Sequence, residues 1–414
     1  MFYPHGEPSP ERDGSGESPL TVDGEEATVA RFSDALATGV DLVSAAERAA
    51  LEALGRLDGP ADLVCVFVSG FDPDEVALAG ERVMAMAEGA TTIGCSADGV
   101  IGGGRGTEGQ GAVSVWAAML PGVTMTPFEL AAVPEGDHLA VVGMLQHTPA
   151  DRAVLLLTNP YTFPTHSFVR RSEAILGDLP IVGGLADGAY GGDSVRLFLQ
   201  GETVQAGAVG LLIGGEGVLG TVVSQGCRPV GPSMVVTKAE ENLLLELAGV
   251  PAYRKLEDII GALPPEEQEL AAEGLHIGIA MDEYAERHES GDFLIRGVLE
   301  ADPEEGSITI GDVVEVGQTV RFQVRDHDTA DSDLLEQLRL FARDTGNAAE
   351  GALLFSCNGR GSAMFPSADH DVRCVRQTLG IDAVGGFFAA GEIGPVAGRN
   401  HLHGFTACML AFRG

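Results

Sequence analysis

Three glycine-rich decamers of this chain share one pattern: GCSADGVIGG at residues 94–103, GGLADGAYGG at 183–192 and GFFAAGEIGP at 386–395. They align without a gap, and all have glycine at positions one, six and nine and alanine at position four. Each follows a short apolar run typical of a strand and a stretch with helical spacing, and each leads into another apolar run. The chain therefore contains three copies of one order: strand, helix, glycine turn, strand.

These three repeats cover residues 63–120, 153–214 and 352–412. Glycine after a strand permits a positive φ and the close approach of a neighbouring backbone or a ligand. We predict that the three glycine turns lie on one side of the sheets and form a rim that faces a ligand. The alternative is that these glycines only allow each strand to turn and pack.

The alternation of strand and helix predicts a mixed α/β (α+β) fold in which β-sheets are flanked by helices, with two domains built from the duplicated units. We expect a flexible acidic tail at residues 1–28, an N-terminal domain at 29–235 and a C-terminal domain at 236–414. Apolar residues at helical spacing predict a helix over residues 29–57.

Charge and cysteine content narrow the classes of function. The 414 residues include 25 Lys and Arg against 61 Asp and Glu, a net charge of −36. Such a field repels phosphate backbones and anionic lipids, so we expect no nucleic-acid partner and no membrane partner. The six cysteines form no C-x-x-C pair, and no signal peptide or membrane-spanning apolar stretch is recognisable. We therefore expect a cytoplasmic protein.

Several motifs together resemble those of a known family. The segment GCSADGVIGGG followed by AVSVWAAMLPG resembles the FIST N-terminal domain. The segments SCNGRG, HDV, GFFAAGEIGP and LHGFT together resemble the FIST C-terminal domain, as do FLIRGVLEAD and TVRFQVRD upstream. The similarity extends from about residue 61 to the end of the chain.

The resemblance to the FIST family (F-box and intracellular signal transduction proteins) implies a sensory protein that binds a small ligand such as an amino acid. Family members are fused to signalling modules, and we recognise no such module in this sequence. We therefore expect a small-molecule ligand and a separate, unidentified signalling protein as partners.

The SCNGRG turn provides the first candidate ligand-binding residues: Cys357, Asn358, Gly359, Arg360 and Gly361. Arginine can hold a carboxylate through two parallel hydrogen bonds, and the flanking glycines permit a tight backbone path. The alternative for Arg360 is an ion pair with a structural carboxylate.

Other candidates lie at strand ends and in the third decamer. Arg325 and Asp326 could orient an amino acid through its two charged ends, or they could form an ion pair that braces a loop. Glu392, next to Gly391, could accept hydrogen bonds from a ligand ammonium, or it could cap backbone donors nearby. His403 is a further candidate contact, although a hydrogen-bonded structural histidine is the more common arrangement.

Two alternatives to a sensor remain open. An enzyme would use Cys357, Glu392 and His403, which would have to converge in one pocket. An interaction scaffold would have no cavity of ligand size. The sequence lacks a phosphate-binding P-loop, a dinucleotide fingerprint and a nucleophile elbow, and its H-x-H pair at 401 and 403 is a weak metal signal. We therefore expect a sensor rather than an enzyme, with no cofactor and no metal.

Overall fold

Three mixed β-sheets and one closed β-barrel make up the structure, a computed structural model that describes residues 30–136, 138–281 and 293–413. The predicted acidic tail at 1–28 lies outside these residues. The predicted mixed α/β fold, with sheets flanked by helices and built from duplicated units, is confirmed. Within the described ranges, no helix is both long enough and apolar enough to span a membrane.

Repeat 1 forms most of the first sheet. With the strand and helix that precede it, it comprises β1 (Arg31–Thr38), α1 (Leu42–Gly55), β2 (Leu63–Ser69), α2 (Pro73–Met86), β3 (Thr91–Ser96), β4 (Gly99–Gly102), β5 (Arg105–Glu108) and β6 (Ala112–Met119). Strands β2 and β3 are parallel, β6 is antiparallel to β2 on its other side, and β1 is antiparallel to β6.

The helix predicted over residues 29–57 is wrong in its first part. Residues 31–38 form β1, because pairing along the whole length of β6 outweighs their helical spacing. The helix begins only at Leu42, after Asp41, whose carboxylate accepts a hydrogen bond of 3.0 Å from the backbone N–H of Ser44.

Repeat 2 has the same order of elements. It comprises, with the two preceding strands, β7 (Thr124–Glu135), β8 (His138–Val142), β9 (Asp151–Thr158), α3 (Thr165–Arg171), α4 (Glu173–Leu176), β10 (Ile181–Leu185), a 3₁₀ turn (Gly192–Ser194), β11 (Leu197–Leu199), β12 (Glu202–Val204) and β13 (Ala208–Gly214). Strands β9 and β10 are parallel, and β13 is antiparallel to β9.

Between repeats 2 and 3, strand β14 (Val218–Gln225) leads into the barrel. The barrel region comprises β15 (Cys227–Glu240), β16 (Leu243–Leu247), β17 (Val250–Pro251), α5 (Ala252–Ala262), α6 (Pro265–Glu273), β18 (Leu275–Ala280), β19 (Phe293–Asp302), β20 (Ser307–Ile310) and β21 (Thr319–Arg325). Strand β15 is irregular between Val230 and Met234, so that its first half pairs with β21 and its second half with β16. The pairings β15-β21-β18-β19-β20-β16 thus form a closed ring around apolar side chains such as Ile277 and Phe322.

Repeat 3 follows the barrel. It comprises, with the preceding helix, α7 (His327–Asp344), β22 (Gly351–Cys357), α8 (Gly361–Met364), α9 (His370–Leu379), β23 (Ala383–Ala389), β24 (Glu392–Val396), β25 (Arg399–His403) and β26 (Thr406–Phe412). Strands β22 and β23 are parallel, β26 is antiparallel to β22, and β14 is antiparallel to β26.

Each repeat contributes one β-hairpin to the sheet of another repeat. Hairpin β4–β5 of repeat 1 pairs with β23 of repeat 3, and β24–β25 of repeat 3 pairs with β10 of repeat 2. Hairpin β11–β12 of repeat 2 pairs with β3 of repeat 1. The three exchanges form a cycle, so every sheet contains strands of two repeats. The predicted domain boundary between residues 235 and 236 falls inside β15, and two of the three sheets contain strands from both sides of it.

Alternating side chains give each sheet two apolar faces. Cys65 and Phe67 of β2 belong to a core that all three sheets share, as does Phe355 of β22. Their neighbours Val66 and Val68 point the other way and pack beneath α1 and α2. The sheets therefore surround one common core, and the helices cover their outer faces.

The first glycine of each decamer lies against its partner in the parallel neighbouring strand. A Cβ atom on this glycine would overlap the backbone carbonyl oxygen of that partner in all three repeats, in the pairs Gly94 with Val66, Gly183 with Leu156 and Gly386 with Leu354. These three glycines are buried. Close strand packing, which was the alternative to a ligand-facing rim, explains why glycine occupies this position.

Candidate functional site

Arg360 lies at the start of α8, just after β22 ends, and its side chain is fully buried. Its Nε and Nη2 donate to the two carboxylate oxygens of Asp371, over 2.7 and 2.9 Å. The hydroxyl of Ser356 donates to the same carboxylate over 2.6 Å. Although burial favours the neutral acid, Arg360 and these hydrogen bonds hold the pKa of Asp371 well below its usual range.

This pairing favours one of the two roles predicted for Arg360, the ion pair with a structural carboxylate. Of its terminal nitrogens only Nη1 is left, and it lies 3.5 Å from the carbonyl oxygen of Phe405. Because the guanidinium is fully buried and its Nε and Nη2 already hold one carboxylate, its remaining N–H donors are not accessible to a ligand from solvent. The geometry therefore supports the structural ion pair rather than the ligand contact.

The three residues of the enzymatic alternative lie near one another inside the protein. Glu392 is fully buried, and its Oε2 accepts hydrogen bonds from the backbone N–H and the hydroxyl of Thr406, over 3.1 and 2.7 Å. The thiol of Cys357 interacts with the same carboxyl group. His403 is paired with Glu392 across the β24–β25 ladder, and its Nε2 lies 3.0 Å from the carbonyl oxygen of Gly394.

Burial sets the protonation of these three groups. It raises the pKa of Glu392 to about 8, lowers the pKa of His403 to about 3 and raises the pKa of the Cys357 thiol well above its ordinary value. All three are therefore mainly neutral at neutral pH, and a protonated thiol is a poor nucleophile. None of the three lines any of the cavities described below.

The adjacent residues Arg325 and Asp326 point to different partners. Asp326 caps α7 by accepting from the backbone N–H groups of residues 328 and 329, and its other oxygen accepts a hydrogen bond of 2.8 Å from Arg228. The guanidinium of Arg325 lies over the ring of Phe405, 5.3 Å from its centroid. One prediction was that Arg325 and Asp326 form an ion pair that braces a loop. Asp326 does form an ion pair, but its partner is Arg228 and not Arg325.

The remaining predicted residues lie in tight packing or at the surface. Asn358 is exposed. A Cβ atom on Gly359 would stand 2.6 Å from the ring of Phe405, and one on Gly361 would overlap a glutamate carboxylate of β5. Gly391 has more room, since its nearest side-chain neighbours would lie 3.4 Å from such a Cβ.

A different group of residues lines a cavity of about 240 Å³ where the barrel meets repeat 2 and hairpin β24–β25. Among the described residues, the ionisable side chains of its lining are Arg170, Arg296, Arg399, His166, His401 and Asp312. We call this cavity and these six residues the cationic cleft. Three guanidinium groups and one carboxylate face it. The local charge of the cleft is therefore opposite in sign to the strongly negative charge of the whole chain.

Three separate parts of the fold build the cationic cleft. Arg296 lies on β19 and Asp312 just after β20, so both belong to the barrel. Helix α3 contributes His166 and Arg170, and strand β25 contributes Arg399 and His401.

The carboxylate of Asp312 connects two of these parts. The Nε of Arg296 donates to Asp312 over 2.7 Å, and the Nε2 of His166 lies 3.2 Å from the other oxygen of the same carboxylate. Burial alone would raise the pKa of Asp312, but its bonds to His166 and Arg296 lower it to about 2. Asp312 therefore holds the barrel against helix α3.

The other basic groups of the cleft form fewer or longer ion pairs. Arg170 is exposed and has no ion-pair partner within the described residues, and Arg399 lies 3.9 Å from an exposed carboxylate, that of Glu173. Burial, and then the charges of Arg296 and Arg399, lower the pKa of His401 to about 4. At neutral pH His401 is therefore an uncharged hydrogen-bonding group between two guanidinium groups.

The cleft continues into a second cavity of about 110 Å³ that shares Arg170, Arg399 and His401. Asn400 lies between them, and its amide is engaged in packing: its oxygen accepts from the backbone N–H of Ile181 over 2.8 Å. The groups that remain for a ligand are thus the two exposed guanidinium groups and the imidazole.

Two other cavities have different chemistry. One of about 360 Å³ is lined by four carboxylates, those of Asp326, Asp328, Asp333 and Glu336. Another, of about 440 Å³, lies between loops near Phe71 and is mainly apolar. Of these three cavities, only the cationic cleft has the charge to attract an anion.

Comparison with known proteins agrees with the arrangement of motifs. The model described as the FIST N domain matches residues 62–250, and the model described as the FIST C domain matches residues 252–395. The uncharacterized protein Rv0628c of Mycobacterium tuberculosis (strain ATCC 25618 / H37Rv) is 40% identical over 383 residues, which cover 92% of this chain and 99% of the relative. The uncharacterized protein Mb0898c of Mycobacterium bovis (strain ATCC BAA-935 / AF2122/97) is 42% identical over 384 residues, 91% and 98% of the two chains.

Proposed function

We propose, since this chain belongs to the FIST family, that it is a cytoplasmic sensor which binds a small carboxylate or amino acid in the cationic cleft. FIST domains are generally linked to signal transduction and to the sensing of small ligands. The observation that carries the proposal is that three arginines surround one cavity in a chain with a net charge of −36.

The chemistry of the cleft favours a carboxylate of small size. Arg170 and Arg399 are exposed to the cavity, and each can donate two parallel hydrogen bonds to a carboxylate. The neutral imidazole of His401 adds one donor or acceptor. For an amino acid, Glu173 next to Arg399 is the nearest exposed carboxylate that could accept from the ammonium.

Position in the fold supports a sensory role. The cleft is formed by the barrel, by helix α3 and by strand β25, so a ligand that contacts all three stabilises one arrangement of the barrel relative to the repeats. A separate signalling protein would read that arrangement. The convergence of several polar groups on one cavity also favours a ligand-binding protein over a scaffold without a ligand.

The proposal assigns no catalytic role to Cys357, Glu392 and His403. Its support is their burial, which keeps the thiol protonated and keeps all three away from the cavities. A cytoplasmic location is supported by the state of the six cysteines, all of which are free thiols.

Binding of small carboxylates and amino acids to the purified protein tests the proposal. A thermal-shift screen selects ligands that raise the melting temperature, and calorimetry then measures their Kd. We expect Arg399→Gln and Arg170→Gln each to weaken binding of a selected carboxylate about tenfold, because each removes one charge-assisted contact.

The matched control is Arg343→Gln, which removes an exposed arginine of α7 that does not line the cleft. It should bind the same carboxylate with unchanged Kd. If the double variant at residues 170 and 399 binds as tightly as the unaltered chain, the ligand site is not in the cationic cleft.

A further inference from the structure

We propose that Asp331, His370 and Cys374 form a zinc-binding site between helices α7 and α9. One potential ligand atom of each residue lies within 4.8 Å of the other two. His370 and Cys374 are four residues apart on α9 and therefore share one face of that helix, while Asp331 comes from α7.

The distances between the ligand atoms are close to those of tetrahedral zinc. The Nε2 of His370 lies 2.9 Å from the Oδ1 of Asp331 and 3.8 Å from the Sγ of Cys374, and the same Sγ and Oδ1 are 3.9 Å apart. Zn–S bonds of about 2.3 Å and Zn–N or Zn–O bonds of about 2.0–2.1 Å place tetrahedral ligands roughly 3.3–3.6 Å apart. Each observed distance is within about 0.4 Å of that range, which side-chain rotations can cover.

The imidazole of His370 is held in the orientation that metal binding requires. Its Nδ1 lies 2.9 Å from the Oδ1 of Asp371, so Nε2 is directed toward Asp331 and Cys374. The ring of Phe365 stacks on the imidazole with 3.5 Å between centroids and an interplanar angle of 7°. A histidine that binds a metal through one ring nitrogen commonly donates a hydrogen bond from the other ring N–H to a carboxylate.

That outer carboxylate is itself fixed. Asp371 receives two hydrogen bonds from Arg360 and one from Ser356, and all three residues are buried. The SCNGRG and HDV motifs together therefore fix the orientation of one imidazole, that of His370. This gives the two motifs a structural role, although neither motif takes part in the cationic cleft.

The donor set selects the metal. A thiolate, an imidazole and a carboxylate together suit Zn²⁺, whereas Mg²⁺ and Ca²⁺ take oxygen ligands. The carboxylate of Asp331 is 43% exposed, so the fourth position faces solvent and can hold a water molecule. Without metal, a proton on the Nε2 of His370 holds Asp331; binding of zinc would release that proton and the thiol proton of Cys374 to solvent.

Titration of the chelator-treated full chain with Co²⁺, followed by displacement with Zn²⁺, tests the site. We expect one Co²⁺ per chain, with the thiolate-to-metal absorption that a Co–S bond produces, and loss of that absorption when Zn²⁺ is added. Cys374→Ser should abolish the absorption, and Asp331→Asn should weaken Zn²⁺ binding by at least about tenfold.

Glu336→Gln is the matched control, because Glu336 is an exposed acid on the same helix outside the cluster. It should bind both metals as the unaltered chain does. Circular dichroism verifies that Cys374→Ser is folded, which we expect because Cys374 is only half-buried. The proposal is overturned if the unaltered chain binds no stoichiometric Zn²⁺ at micromolar concentrations, or if Cys374→Ser binds Co²⁺ with the same spectrum and affinity.

Discussion

Arg360 and Asp371 form a two-point ion pair inside the protein, with the guanidinium fully buried and the carboxylate 4% exposed. The pair connects the turn that follows β22 to the first turn of α9, eleven residues further along the chain. Arg360 was predicted to bind a carboxylate of a ligand, but the protein itself supplies that carboxylate through Asp371.

We expect Arg360→Ala to destabilise the fold by about 3–5 kcal/mol, because it leaves the Asp371 carboxylate buried and unpaired. Unfolding in urea measures this change. Arg343→Ala, at an exposed site that is 71% accessible, should change the unfolding free energy by less than about 0.5 kcal/mol. A stable Arg360→Ala protein that has lost only ligand binding would contradict the structural role.

We expect the stability advantage of Glu392→Gln over the unaltered chain to grow as the pH rises. The folded state raises the pKa of this carboxyl from 4.5 to about 8, so it binds the proton more tightly than the unfolded chain does. Its contribution to stability is complete below about pH 4.5 and is lost as the pH rises through about 8, whereas glutamine stays neutral. The difference in unfolding free energy between the two proteins should increase by about 4 kcal/mol from pH 5 to pH 8.5.

The matched control for this measurement is Glu350→Gln, at an exposed position. Its difference from the unaltered chain should stay nearly constant over the same pH range. A constant difference for Glu392→Gln as well would show that the buried carboxyl does not hold its proton more tightly in the fold.

We expect Gly386→Ala to prevent stable folding or to cost at least about 4 kcal/mol, because the new Cβ overlaps the backbone carbonyl oxygen of Leu354. Gly94→Ala and Gly183→Ala should have similar effects, since their surroundings are equivalent. Gly55→Ala is the control: nothing lies within 4 Å of the added atom, at the end of α1. Thermal unfolding of the four variants compares them, and a tolerated alanine at 386 would contradict the close packing.

Cys374 should be the fast-reacting thiol of the metal-free native protein. It is half-buried, whereas the other five cysteines are buried, and burial raises the pKa of each of those five thiols. A thiol reagent should modify one cysteine rapidly and the others only on unfolding, and Cys374→Ser should remove the rapid phase. Several rapid equivalents in the folded protein would contradict the burial of the core thiols.

The repeats were predictable because their pattern is local. A strand, a helix and a glycine turn can each be predicted from a few neighbouring residues, and the same local pattern occurs three times in the chain. The exchange of hairpins was not predictable, since nothing in residues 99–108 states that their partner is β23 rather than a strand of repeat 1. Strand β1 was missed for a related reason: its identity depends on pairing with β6, far along the chain.

The candidate site shows the same limit. The sequence singled out Arg360 from its motif, but its partner Asp371 lies outside the turn, so the choice between a ligand and an internal carboxylate needed the structure. The cationic cleft was missed because its residues come from α3, the barrel and β25. The only local signal was the H-x-H pair, whose His401 lines the cleft and whose His403 is buried.

The cyclic exchange of hairpins has a consequence for synthesis on the ribosome. Repeat 1 emerges first, but β3 has no neighbour on its outer side until β11 of repeat 2 appears. Hairpin β4–β5 then waits for β23, which is made almost at the end of translation. A nascent or truncated chain therefore presents open strand edges that can pair with other chains until the last repeat closes the cycle.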